Sequence, residues 1–150
     1  MLSFVTGLFS TDGFIVGTLL PFLFVLLIVV FVHELGHYLV GRWCGIGAKV
    51  FSVGFGPELA GFTDRKGTRW RLSWIPLGGY VKFVGDMNAT SMPEGQSTEA
   101  LTPEEQAVAF PNKSVGHRAA TVFAGPLANF IFAVAIFTAI FSLYGRGVAD

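Results

Sequence analysis

Two long runs of uncharged, mostly apolar residues dominate the pattern of the chain. The first, from Gly13 to Val32, has 20 residues, and the second, from Ala119 to Gly145, has 27. At about 1.5 Å of rise per residue, a helix of either length can cross a hydrocarbon core of about 30 Å. The pattern therefore predicts two transmembrane helices, the first ending near Gly45. A cleaved signal peptide is the alternative for the first run, but no Lys or Arg precedes it and no small-residue cleavage site follows it.

Between the two runs, the pattern changes to short segments that are broken by glycine. Residues 68–75 alternate polar and apolar side chains for most of their length, which is typical of a strand. Residues 64–67 have the composition of a turn, so residues 59–75 are predicted to form a β-hairpin. Two glycine-rich segments flank it, Gly54-Phe55-Gly56-Pro57 and Pro76-Leu77-Gly78-Gly79-Tyr80. These glycines either let the backbone approach another chain closely or form turns, and the residues alone favour turns.

The stretch from Gly85 to Asn112 is polar and acidic. It carries five acidic residues, no Lys or Arg, and many Ser, Thr, Pro and Gly residues. This composition predicts a mobile linker or a poorly ordered loop. Within it, Thr102-Pro103-Glu104-Glu105 has the form of a capping box, so one short helix is predicted from about Pro103.

Composition predicts a membrane environment, and the distribution of charge predicts an orientation in the membrane. With 52% hydrophobic and 13% charged residues, the chain is too apolar for a typical soluble protein. Its ten basic and ten acidic residues balance, so net charge identifies no partner, and we expect no nucleic-acid ligand. Nine of the ten basic residues lie between the two helices, from Arg42 to Arg118, which predicts that this connection is cytoplasmic. The single cysteine, Cys44, excludes an intramolecular disulfide and a cysteine-based metal site.

These patterns together predict a mainly α membrane protein, in which a membrane-associated β-hairpin on the cytoplasmic side joins two transmembrane helices. The predicted segments are residues 1–45 with the first helix, 46–83 with the hairpin, 84–112 as the acidic loop, 113–145 with a basic shoulder and the second helix, and 146–150 at the start of a periplasmic region.

The candidate chemistry lies at the end of the first apolar run, in His33-Glu34-Leu35-Gly36-His37. His33 and His37 are four residues apart, so on a helix they differ by roughly 40° and can bind one ion from the same face. Glu34 projects beside the metal, where a carboxylate can take a proton from an activated water. Short strings of this form occur by chance, and a histidine on an apolar face is usually a satisfied core residue. Three ionisable side chains inside a membrane span are costly unless they are paired, hydrated or metal-bound, so a metal site is predicted.

Zinc is the expected ion, because imidazole suits it and the site needs no redox chemistry. A catalytic zinc site has three protein ligands and a water, and this motif supplies two. A metzincin would place Gly and His at the positions that Val40 and Trp43 occupy. Glu58 is the candidate third ligand of a soluble gluzincin, but it lies in a loop rich in Gly and Pro. From the residues alone, the third ligand therefore stays unassigned.

Four segments in order make the sequence similar to the site-2 protease family of intramembrane zinc metalloproteases, and within it to the bacterial RseP-type regulators. They are His33-Glu34-Leu35-Gly36-His37, Gly54-Phe55-Gly56-Pro57, Ile75-Pro76-Leu77-Gly78-Gly79-Tyr80-Val81-Lys82 and Phe123-Ala124-Gly125-Pro126-Leu127-Ala128-Asn129-Phe130. The resemblance implies a protein of the bacterial inner membrane with its active site toward the cytoplasm. Its substrate would be a single-pass membrane protein, typically an anti-sigma factor, that is cut within its transmembrane segment.

The resemblance also assigns roles to residues. It implies that His33 and His37 bind one zinc ion and that Glu34 is the general base. The hairpin of the family dips into the membrane and receives the substrate as an added strand. This favours a substrate-binding role for six hairpin residues: Gly54, Phe55, Gly56, Gly78, Gly79 and Tyr80.

Asn129 is the last candidate, and its role stays open between two alternatives. It either donates a hydrogen bond to the substrate carbonyl or oxyanion, or bonds a neighbouring helix. Family members continue into periplasmic domains and further helices, one of which supplies an aspartate ligand, so the chain is expected to be the N-terminal part of a longer protein. The alternatives to a protease of this kind are a non-catalytic membrane scaffold or degenerate protease that holds a partner helix, and a soluble-type zincin on a membrane anchor.

Overall fold

The computed structural model describes residues 15–86 and 101–145, so the predictions for residues 1–14, 87–100 and 146–150 lie outside the described residues. Its α-helices and strands are, in order, α1 (Leu20–Trp43), β1 (Ala48–Thr63), β2 (Arg69–Phe83), α2 (Pro103–Val108) and α3 (Val115–Tyr144), and a short 3-10 helix, Phe110–Asn112, lies between α2 and α3. The two segments Val16–Trp43 and Val115–Tyr144 are long and apolar enough to cross a membrane. Both predicted membrane helices are therefore present as helices.

Helix α1 begins and ends where its sequence favours it. Pro21 lies in its first turn, directly after a single π-helical turn, Ile15–Leu19, so the helical run continues through this proline. After Trp43 the chain leaves the helix through Gly45, which has a φ of 72°. The amide of the next residue, Ile46, donates back to the carbonyl of Gly41 over 2.9 Å. This left-handed glycine cap confirms the predicted end of the helix.

Strands β1 and β2 form the predicted hairpin around the turn at residues 64–67, but they are longer than residues 59–75. Residues 58–63 of β1 pair with 69–73 of β2, and residues 48–55 pair with 75–83. Val50–Val53 also lie beside Arg69–Leu72, so the first part of β1 is held between both parts of β2. Both strands extend through the glycine-rich segments, which were expected from the residues alone to be turns.

The bend of β1 depends on glycine. Gly54 and Gly56 have φ values of 89° and 85°, a conformation that side chains with a Cβ disfavour. A Cβ at Gly54 would also lie 2.8 Å from the carbonyl oxygen of Ser73. The glycines thus allow β1 to change direction, and Gly54 also lets β1 and β2 approach each other closely.

Small residues let α1 pack closely against α3. A Cβ added at Gly36 would lie 2.7 Å from the Cβ of Ala128 and in contact with the carbonyl oxygen of Ala124.

On another side, α1 packs against the sheet through an aromatic cluster. Phe51 stacks on Trp70 with ring centroids 4.2 Å apart, and Tyr38 meets Trp70 edge-on at 5.0 Å. The sheet is therefore fastened to the helix that carries the histidines.

The end of the predicted acidic loop is folded rather than a mobile linker. The capping box that was predicted for α2 is present: Thr102 Oγ1 accepts from the Glu105 amide over 3.2 Å, and the Glu105 carboxylate accepts from the Thr102 amide over 3.1 Å. Ala109 is fully buried, and the Phe110 amide donates to the carbonyl of Val84 over 2.8 Å. Backbone bonds to the sheet order this stretch in spite of its polar composition, and it leads directly into α3.

Candidate active site

The three polar residues of the motif on α1 face a common cavity of about 330 Å³. The rings of His33 and His37 are 4.8 Å apart at their centroids and nearly perpendicular, at 80°. Glu34 is half-buried beside them. The cavity is lined by His33, Glu34, His37, Gly79, Tyr80, Val81, Phe83, Asp86, Phe110, Thr121 and Val122.

Gly125 on α3 marks the point at which the two imidazoles meet. A Cβ added there would contact His37 Nε2 and would lie 2.8 Å from His33 Nε2. Both Nε2 atoms therefore lie beside one small space that is open only because residue 125 has no side chain. Two imidazole nitrogens around such a space are a donor set that fits a zinc ion.

His37 is held in the form that a metal ligand requires. Its Nδ1 lies 2.8 Å from the main-chain carbonyl oxygen of Thr121. A carbonyl oxygen can only accept, so Nδ1 carries the proton and Nε2 keeps its lone pair. Hydrogen bonds of this kind, on the far nitrogen of a ligand histidine, orient the ring and fix its tautomer.

Asn129 contacts the other histidine. Its Nδ2 lies 3.2 Å from His33 Nδ1, and its Oδ1 is buried with no hydrogen-bond partner among the described residues. The alternative in which Asn129 bonds a neighbouring helix is thus present in the structure. The helix that it bonds is the one that carries the candidate metal ligands.

Strand β2 crosses α1 beside Glu34 at a position without a side chain. A Cβ added at Gly79 would lie 2.7 Å from the Ser52 carbonyl oxygen, 2.9 Å from Val30 Cγ1 and 3.0 Å from Glu34 Cγ. Tyr80, the next residue, lines the cavity. The backbone of β2 therefore runs directly along the candidate catalytic carboxylate.

The other hairpin residues that were predicted to bind substrate lie outside this cavity. Gly54, Phe55 and Gly56 form the bend of β1, and the Phe55 ring covers Gly78, where an added Cβ would lie 2.5 Å from it. Phe55 also stacks on Tyr80, with ring centroids 6.2 Å apart. Of the six, Gly79 and Tyr80 reach the cavity, and the other four support the strand that carries them.

A third protein ligand was not expected from this chain. Across residues 15–86 and 101–145, no group of three or more His, Cys, Asp and Glu side chains is placed to hold a metal ion. Glu58, the alternative third ligand, instead forms an ion pair with Arg69. The candidate metal site therefore consists, among the described residues, of two histidines and the carboxylate beside them.

Two contributions of α3 to this site were not predicted from the sequence, the carbonyl of Thr121 and the space at Gly125. The Gly125-Pro126 motif identified this turn of α3, but it did not predict what Thr121 and Gly125 contribute to the site. Phe110 and Asp86, which also line the cavity, lie in or next to the stretch that was predicted to be a mobile loop.

Asp64, in the hairpin turn, has a structural role that was not predicted from the sequence. It accepts hydrogen bonds from the Tyr38 hydroxyl over 3.2 Å, from Trp70 Nε1 over 3.1 Å and from the amides of Lys66 and Thr68 over 2.8 and 3.0 Å. Desolvation alone would raise the pKa of this carboxyl, but these hydrogen bonds outweigh it and lower the pKa below its usual value. The turn is thereby tied to the residue next to His37.

Comparison with known proteins identifies the family of the chain. The model of peptidase family M50 matches residues 21–150. A protein of Brucella suis biovar 1 whose name describes a zinc metalloprotease is 63% identical over 142 residues, which are 95% of this chain and 38% of that protein. Metalloprotease MmpA of Caulobacter vibrioides is 44% identical over 141 residues, covering 89% of this chain and 35% of that protein.

A third relative carries the type of name that the sequence motifs suggested. The regulator of sigma-E protease RseP of Salmonella typhimurium is 42% identical over 134 residues, covering 89% of this chain and 28% of that protein. The chain spans less than two fifths of the length of each of these relatives. The match over most of the chain confirms the resemblance to the site-2 proteases, and the chain belongs to peptidase family M50.

Proposed function

We propose that this chain carries the catalytic helices of an intramembrane zinc metalloendopeptidase, which cleaves the transmembrane segment of single-pass membrane proteins. The observation that carries the proposal is the meeting of His33 Nε2 and His37 Nε2 at Gly125, with Glu34 lining the same cavity. This cavity lies between two helices that are both apolar enough to span a bilayer. A soluble-type zincin on a single anchor would not need its histidines on such a helix.

The zinc ion would be held by His33 and His37 and by a third ligand from another part of the protein. When bound, it supplies Lewis acidity that makes a water molecule nucleophilic near neutral pH. The Thr121 carbonyl keeps His37 in the tautomer that offers Nε2. Gly125 keeps the space between the two Nε2 atoms clear of side chains.

Glu34 is the general base of the proposed reaction. It projects from the same helix into the same cavity as the two histidines. Its carboxylate takes a proton from the attacking water and then passes it to the leaving amine, which keeps the proton count balanced over hydrolysis of one peptide bond.

The second part of β2 is the proposed docking edge for the substrate. Ile75–Phe83 pairs with β1 along one edge, and its other edge has no strand partner in the described part of the chain. At Gly79 this segment passes beside Glu34. A substrate that adds a strand here would be extended, so its peptide bond would be exposed to the base, with Gly79 and Tyr80 as the nearest contacts.

The proposed location is the bacterial inner membrane, with the site toward the cytoplasm. The excess of Lys and Arg between the helices supports this orientation. The similarity to RseP, a protein named as a regulator of sigma-E protease, supports an anti-sigma factor as the substrate class.

The substitution Glu34→Gln in the full-length protein tests the proposed protease function. We expect cleavage of a membrane-embedded reporter substrate to fall by at least about 100-fold, because general base catalysis contributes about 10²–10⁴-fold. Zinc content, measured on the purified protein, should stay at the wild-type value because both histidines remain.

The matched control is Glu104→Gln, which removes an exposed carboxylate in the first turn of α2, away from the cavity. It should leave cleavage unchanged. Full activity in Glu34→Gln would overturn the assignment of the base. A wild-type protein that holds a partner helix but contains no zinc and cleaves nothing would instead be a membrane scaffold.

A further inference from the structure

In the orientation that the Asn129 amide has in the structure, its hydrogen bond with His33 is inconsistent with metal binding through Nε2. The hydrogen bond of His37 is consistent with metal binding. His37 Nδ1 faces a carbonyl oxygen, which requires a proton on Nδ1. His33 Nδ1 faces the amide nitrogen of Asn129, 3.2 Å away. A donor there requires a lone pair on Nδ1, so the neutral ring would carry its proton on Nε2, the atom that must bind the metal.

No other hydrogen bond among the described residues holds the Asn129 amide in this orientation. Asn129 Oδ1 is buried and has no hydrogen-bond partner among the residues that the structure describes. The nitrogen and oxygen of a side-chain amide are nearly the same size, so turning the group by 180° exchanges them with no change in packing. Oδ1 then accepts a hydrogen bond from His33 Nδ1–H, and Nε2 keeps its lone pair beside Gly125.

We propose that Asn129 is the positioning residue of His33, with Oδ1 accepting from Nδ1–H and thereby holding the ring in the tautomer that binds zinc through Nε2. The inference rests on the proposed function, because it assigns a role toward the same metal site. A neutral amide in this place orients the ligand as the Thr121 carbonyl orients His37.

The spacing along α3 supports this arrangement. Thr121, Gly125 and Asn129 are four residues apart in turn, so they lie on one face of the helix. In order, they supply an acceptor for His37, the open space for both Nε2 atoms, and an acceptor for His33. The same spacing of four separates the two histidines on α1. One stripe of α3 is thus matched to the whole metal-binding pair.

The turned amide has a second consequence for the site. Its Nδ2 takes the buried place of Oδ1 and becomes a donor without a partner in the described residues. An acceptor from outside those residues, such as a substrate carbonyl oxygen, fits that donor. The two predicted roles of Asn129, binding a neighbouring helix and donating to the substrate, are therefore compatible, one on each amide atom.

Two substitutions of Asn129 in the full-length protein separate the effect of losing the hydrogen-bond acceptor from the effect of altered packing. Asn129→Leu keeps the approximate volume and removes the acceptor, and we expect zinc affinity, measured by competition with a chelator, to fall about 10–100-fold. Asn129→Asp keeps the acceptor and loses the donor, so its zinc affinity should stay at or above the wild-type value. Phe130→Leu, at the neighbouring, exposed position of α3, controls for changes to the helix and should bind zinc as wild type does.

A measurement on the unsubstituted protein makes the proposal independent of how the variants fold. In metal-free protein labelled with ¹⁵N-histidine, the His33 signals, assigned by comparison with His33→Gln, should show the proton on Nδ1. A proton on Nε2 would overturn the proposal, and so would wild-type zinc affinity in a folded Asn129→Leu protein. If the zinc results hold but the wild-type protein cleaves no membrane substrate, the proposed protease function fails and the role of Asn129 toward His33 stands.

Discussion

Gly125 is the residue on which the space of the proposed zinc site depends most directly, because it has no side chain. A methyl group at this position would contact His37 Nε2 and crowd His33 Nε2. In Gly125→Ala we therefore expect zinc affinity to fall at least about 10-fold, since the two nitrogens must move apart or the ion must move out. Metal content of the purified protein, read after dialysis against a weak chelator, measures this.

The control for this substitution is Gly116→Ala, on the same helix, where an added Cβ has no heavy atom within 4 Å. It should retain zinc like the wild-type protein. Wild-type zinc content in Gly125→Ala would show that the metal does not lie between the two Nε2 atoms.

The residues of the motif were the part of the site that sequence could predict. His33, Glu34 and His37 lie on one helix, so their spacing and their position inside an apolar run were enough to predict them. The contributions of Thr121 and Gly125 come from a second helix, and spacing along α1 does not determine which face of α3 is turned toward it. A main-chain carbonyl is also common to every residue, so the identity of Thr121 carries no signal of this role.

At the scale of elements, the segment of β2 from Ile75 to Phe83 is the link between the sheet and the chemistry. Gly79 lets it approach both Val30 and Glu34 of α1. In Gly79→Ala the added Cβ would collide with the Ser52 carbonyl oxygen and with Val30, and overpacking of this kind costs about 1–3 kcal/mol. The edge must then move away from Glu34.

For Gly79→Ala we expect kcat/KM on a membrane substrate to fall about 10-fold or more, while zinc affinity stays at the wild-type value because no metal contact changes. Gly17→Ala, at a position with open space around the Cβ, is the matched control and should cleave normally. A variant that lost zinc and activity together would instead place Gly79 in the support of the metal site.

The elements themselves were predicted to different extents. The two helices follow from apolar runs that are long enough to need no tertiary information, and α2 follows from the local capping box at Thr102. The strands extend beyond the predicted hairpin because residues such as Gly54 and Gly79 break the alternation of polar and apolar positions that reveals a strand. Pairing of Val50–Val53 with both parts of β2 joins residues distant in sequence, which local patterns do not predict.

At the scale of the whole molecule, the described residues bring together one sheet and two helices around an incomplete metal site. The site holds two candidate histidine ligands, and the chain spans less than two fifths of the three relatives described above. A catalytic zinc ion takes three protein ligands. The proposed zinc metalloprotease therefore needs a third ligand from outside the described residues.

The orientation of this assembly in the membrane is open to a direct test. Nine of ten basic residues lie between the helices, and that excess disfavours their transfer across the membrane. Green fluorescent protein fused after Asn112, beyond α1 and the sheet, should therefore fluoresce in a bacterial host. Alkaline phosphatase fused after Gly145, beyond α3, should be active in the periplasm. Exchanging the two reporters supplies the control, since both should then be inactive. The reverse pattern would place Glu34 nearer the periplasmic face, and the attacking water would then reach the site from that side.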